Sequence, residues 1–96
     1  MVLTPATPFP APKIGAPATT RVADVEVPMR GHLGVFTQPW SFIGLPALSA
    51  PIADPGALPL GVQLVAAPFM EESLFRVAAR LEQDGVVAAP VASARP

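Results

Sequence analysis

The sequence predicts an α/β chain, short strands of a sheet accompanied by one proline-kinked helix and one amphipathic C-terminal helix. Three observations predict it. Leu33, Phe36, Trp40 and Ile43 recur at spacings of three, four and three, which places them on one helical face. Ala47 to Ile52 and Gly61 to Ala66 are short apolar runs with little polar alternation, the pattern of strands buried on both faces. Met70, Leu74, Val77, Ala78 and Leu81 line one face of a later helix.

Taken in order, Met1 to Thr4 reads as the end of a strand, with Val2 and Leu3 apolar. The chain starts in mid-element, so the expectation is one partial domain over residues 1–96, part of something larger. Residues 5–20 are expected as a proline-rich loop, because Pro5, Pro8, Pro10, Pro12 and Pro17 fix the backbone near extended values and remove amide donors. Val22, Val25 and Val27, with Asp24 and Glu26 facing away, predict a short edge strand or hairpin closed by Pro28. Gly31 and Gly34 loosen the chain before the kinked helix. Pro39 interrupts or restarts that helix, with Thr37 or Gln38 as its cap, and Gly44 followed by Pro46 ends it.

Asp54, Pro55 and Gly56 form a turn between the two apolar runs. An antiparallel hairpin is the simplest pairing, and neighbouring parallel strands remain an alternative. In the last helix Glu71 and Glu72 occupy the first turn, where the helix dipole favours acids, and Glu72 can pair with Arg76. Gly85 stops it, and residues 87–96 are expected as a frayed tail.

Ninety-six residues allow one domain, and a domain of that length buries only about two-thirds of the surface its unfolded chain exposes. With 51% hydrophobic and 14% charged residues, the chain is more apolar than so small a core readily hides. It belongs to something larger or carries a sticky face. The net charge of -1 comes from acids and bases scattered singly, which argues against a nucleic-acid partner. The absence of cysteine excludes disulfides and thiolate metal sites. His32 to Ala53 carries no formal charge and is long enough to cross a bilayer, yet Pro39, Pro46 and Pro51 interrupt it, which argues against a membrane span. No secretory signal is visible, and cytoplasm is the expected compartment.

The residues alone contain no active site. His32 is the only histidine, and its spacing to Ser41, Ser49, Ser73 or Ser93 and to Asp24, Asp54 or Asp84 favours no triad; there is no Gly-x-Ser-x-Gly elbow. One histidine with dispersed acids does not form a metal cage. The glycines match neither a dinucleotide fingerprint nor a phosphate loop, so no cofactor is expected. Phe36, Trp40 and Phe42 are expected in the core rather than in a ligand cage.

Four segments in a fixed order carry a resemblance: LTPATP at Leu3 to Pro8, FTQPWSFIGLPALSAPI at Phe36 to Ile52, LPLGVQLVAAPF at Leu58 to Phe69, and ESLFRVAARLE at Glu72 to Glu82. Together they resemble the C-terminal region of amidase-signature hydrolases, the family that includes the A subunit of glutamyl-tRNA amidotransferase. Val25 to Pro46 is most similar to the carboxybiuret or biuret-type amidohydrolase branch. The resemblance implies a large mixed sheet between helices and hydrolysis of a carbon-nitrogen amide bond. It further implies a nucleophilic serine activated through a second serine, in a cis peptide, by a lysine, with backbone amides holding the oxyanion.

None of those groups matches a residue here. No two serines are adjacent and Lys13 is the only lysine, so no catalytic residue is carried over and the chain alone is expected to be inactive. Where the amidotransferase branch has an acid that helps hold the substrate amine, this chain has Gly34. His32, Thr37 and Gln38, polar groups at the head of the kinked helix, are the substrate-binding candidates in a complete enzyme. Against that stands a local role, Thr37 and Gln38 capping the helix around Pro39 and His32 solvated. The expected partners are a small amide in the complete enzyme and a chain carrying the catalytic segment. The competing expectation is a non-catalytic module that binds to a partner and completes its sheet.

Overall fold

The computed structural model describes residues 1–15 and 17–90. Its centre is a three-stranded antiparallel sheet in the order β1-β5-β4, built from β1 (Val2–Pro5), β4 (Ala47–Pro51) and β5 (Gly61–Val65). The middle strand β5 comes late in the chain and pairs Leu64 with Leu3 on one side and Leu48 on the other. A separate hairpin joins β2 (Thr19–Val22) to β3 (Val25–Pro28). Every strand pairing among the described residues is antiparallel.

Side chains alternate across a strand, so the sheet has a Leu64 face and a Gln63 face. On the Leu64 face lies α3 (Glu71–Gln83), where Leu64, Ala66 and Leu74 are buried with Leu48, Val77, Ala78 and Leu81 packed against them. Burying one such leucine fully contributes about 1.5–3 kcal/mol. The helix is held by its apolar stripe, as its spacing predicts. Glu72 and Arg76 meet at 3.0 Å, and Gly85 (φ 77°) follows the last turn in the left-handed region.

The kinked helix is two pieces. A single turn, α1 (Met29–His32), follows β3 directly, and α2 (Gln38–Ile43) begins after an intervening turn with Pro39 in its first turn. Pro39 therefore restarts the helix; it needs no amide partner there. Gly44 ends α2 in the left-handed conformation (φ 76°), its N–H donating to the Trp40 carbonyl at 3.0 Å.

Several expectations change. The helical turn α1 occupies a stretch expected to be loose because of Gly31; Pro28 supplies its extended entry. Strand β2 begins at Thr19, inside the loop expected over residues 5–20, since the hairpin register pairs Thr19 with Pro28. Strand β5 is buried along its length, but β4 alternates between exposed and half-buried, because β4 lies outside β5 in the sheet. Phe42 is 92% exposed rather than in the core, projecting from a six-residue helix with no described neighbour to cover it. In the expected tail, Val87 is buried and bridges Ile52, while residues 91–96 lie outside the described residues.

Candidate functional site

Polar groups converge where the turn between α1 and α2 lies on the Gln63 face of the sheet. Across the three strands Thr4, Gln63 and Ser49 stand side by side in register. Gln63 is only 4% exposed and is the buried polar residue among the described residues. Its side-chain amide donates to the Phe36 carbonyl at 2.8 Å and to Thr4 Oγ1 at 3.0 Å. A backbone carbonyl can only accept, so the bond to Phe36 identifies the NH₂ end of the amide. Thr4 Oγ1, accepting from that NH₂, donates its own proton to the Pro5 carbonyl at 3.0 Å. A buried amide left without partners is costly; here both of its protons are used.

The three candidate residues sit around this point. His32, half-buried, closes α1, and its carbonyl accepts from the Val35 N–H at 3.2 Å. Thr37 stands at the cap position of α2 but its hydroxyl makes no capping bond; it turns back to donate to the Gly34 carbonyl at 3.3 Å. That carbonyl also accepts from the Thr37 and Gln38 N–H groups, at 3.1 and 2.9 Å. The Gln38 side chain is exposed and lies over Gly34: a methyl group added at Gly34 would come within 3.1 Å of Gln38 Nε2. Among the described residues no side-chain hydrogen bond joins His32, Thr37 and Gln38 to one another, so they share a neighbourhood rather than a network. The site offers hydrogen-bond donors and acceptors and no proton-transfer pair.

Sequence reasoning does not single out Gln63. Its available signal is a polar residue in the middle of the apolar run Gly61 to Ala66, since such a residue in a doubly covered strand needs partners. A cavity of about 490 Å³ lies elsewhere, between the proline-rich stretch and α1. Phe9, Pro12, Pro17, Met29 and Leu33 wall it, with Arg30 as its one charged residue. It contains none of the three candidates. Among the described residues no helix is long and apolar enough to cross a membrane.

Comparison with known proteins bears on most of the chain. The sequence profile described as Amidase matches residues 1–75. The chain is 36% identical over 84 residues to a fatty acid amide hydrolase of Medicago truncatula, and 38% identical over 88 residues to the AtzE subunit of the 1-carboxybiuret hydrolase of Pseudomonas sp. (strain ADP). These alignments cover 86% and 90% of this chain but 14% and 19% of those proteins. The A subunit of the glutamyl-tRNA(Gln) amidotransferase of Mesorhizobium japonicum is 42% identical over 85 residues, 86% of this chain and 15% of its own. Among solved structures, one of an s-triazine catabolic enzyme, described through a vestigial protein complex, superposes with a TM-score of 0.83 at 36% identity, covering 93% of this chain and 20% of that one. A crystal structure of an amidase superposes with a TM-score of 0.77 at 28% identity, covering 85% of this chain and 19% of that one.

Proposed function

This chain belongs to the amidase family, and from that premise we propose that it is the C-terminal part of a hydrolase that cleaves carbon-nitrogen amide bonds. It supplies scaffold and one rim of the substrate pocket. The nucleophile and its base come from polypeptide beyond these ninety-six residues. The supporting observation is the asymmetry of the match: nearly all of this chain, 93%, corresponds to only 20% of a structure it superposes on closely. In the complete enzyme His32, Thr37 and Gln38 face a small amide, and a polypeptide carrying the catalytic segment is the partner. Cytoplasm is the compartment we assign.

The test is an assay of the purified chain on simple amides. No turnover above buffer is expected, and turnover by the chain alone overturns the proposal. Mixing it with a 1-carboxybiuret hydrolase chain deleted of the matching segment is expected to restore hydrolysis.

A second reading, a non-catalytic module that completes a partner's sheet, is favoured by β1, which is paired along one side only among the described residues. It predicts stable co-purification with a partner and no gain of hydrolysis in the mixing experiment.

A further inference from the structure

We propose that Gln63 is a positioning residue for the head of α2. Its buried amide fixes the Phe36 carbonyl against the sheet, and thereby sets where Thr37 and Gln38 stand. This rests on the assignment of Thr37 and Gln38 to the substrate rim.

Three observations carry it. First, Gln63 links segments remote in sequence: one proton goes to Thr4 on β1 and the other to Phe36, immediately before Thr37. Second, the Phe36 bond at 2.8 Å is to backbone rather than to a side chain, so it holds the path of the main chain and does not depend on which side chain follows. Third, the turn it anchors has little else to hold it. Val35, Gln38 and Phe42 are exposed, Phe36 and Trp40 are only half-buried, α2 has no fully buried residue, and the turn closes on itself through the Gly34 carbonyl. A six-residue helix with no fully buried side chain is a low-stability element unless tied elsewhere. The Gln63 amide is that tie, and it transmits the position of the rigid central strand β5 to the rim.

The bond to Thr4 gives an internal control, because it staples β1 to β5 without touching the rim. Gln63→Met keeps the length and apolar volume of the side chain and loses both bonds; Gln63→Glu loses the donor; Thr4→Val loses only the β1 arm. The readout is hydrogen exchange in the ninety-six-residue chain, at the Thr37 and Gln38 amides that bond the Gly34 carbonyl. In both Gln63 variants those amides are expected to exchange faster by a factor on the order of ten, while Leu64 and Val65 keep their protection. Thr4→Val is expected to leave Thr37 and Gln38 unchanged. Unchanged exchange at Thr37 and Gln38 in Gln63→Met overturns the proposal. So does a loss of protection spread equally over Leu64 and Val65, which would make Gln63 a general support of the sheet.

In the mixed enzyme described above, Gln63→Met is expected to raise KM several-fold with kcat held within about twofold, the mark of a displaced binding rim. A fall in kcat with KM unchanged overturns the assignment to the rim. Failure of the wild-type mixture to hydrolyse amides strikes the amidase proposal itself, and the exchange measurement still decides the role of Gln63.

Discussion

At Gly34 and Gln38 two residues share one space, and Gly44 shows a glycine needed for a different reason. A β-carbon at Gly34 would lie 3.1 to 3.3 Å from the Nε2, Cγ and Cδ atoms of Gln38, the far part of a flexible exposed side chain. Gly34→Ala is therefore expected to change stability by less than about 0.5 kcal/mol while moving the Gln38 side chain, visible as a shift of its NH₂ resonances. At Gly44 a β-carbon would meet nothing, but φ is 76°. Gly44→Ala is expected to cost about 1 kcal/mol through backbone strain alone, read as a lowered denaturation midpoint. Gln38→Ala, placed at the matching position of a full-length relative, is expected to lower kcat/KM about tenfold through loss of the substrate contact proposed for it. An unchanged kcat/KM removes Gln38 from the rim. The left-handed stop at Gly44 is legible in the sequence because a glycine closely followed by a proline has few other uses. The orientation of the Thr37 hydroxyl is not, since cap and back-bond are both open to a threonine at that position.

Among the elements, α3 and β5 hold the fold. Leu74 is the buried residue of α3 and closes the cluster over Leu64 and Ala66. Leu74→Ala is expected to cost about 2–5 kcal/mol, measured by denaturant titration, and a loss below about 1 kcal/mol would mean the cluster is not the core. The Glu72 and Arg76 side chains are 81% and 79% exposed. Removing that pair is expected to change stability by no more than about 0.5 kcal/mol. Helix α3 is legible because its stripe, acidic first turn and glycine stop all agree. The turn α1 is not: its four residues Met29–His32 include a glycine and are too few to show a period. Strand β4 departs from expectation because an apolar run does not reveal whether its second face is covered.

The whole molecule exposes 7279 Å², whereas a folded monomer of its mass is expected to expose about 5,200 Å². Its radius of gyration is 15.2 Å, against about 12.5 Å for a compact domain of this length. Large apolar side chains contribute to that surface: Phe42 and Phe69 are more than nine-tenths exposed, and Ile43, Leu58 and Phe75 more than half. These surfaces fit the small share of its relatives' length that the chain spans, 20% of one solved structure. The purified chain is expected to bind a hydrophobic dye and self-associate. A chain that stays monomeric and binds no dye would show that the exposed surface needs no cover.

By itself the sequence determined the amphipathic helix, the glycine stops and the two apolar runs that become β4 and β5, together with the likeness to amidases carried by four ordered segments; that those runs pair antiparallel was settled by the fold. These depend on neighbours a few residues apart, where periodicity and turn chemistry act. Only the tertiary structure decided that Gln63 is buried with both amide protons bound, that β1 rather than a later segment lies beside β5, and that Phe42 is left uncovered. Those outcomes depend on contacts between residues tens of positions apart, such as Gln63 with Thr4 and Phe36, and no local pattern encodes which distant backbone group will stand opposite a side chain.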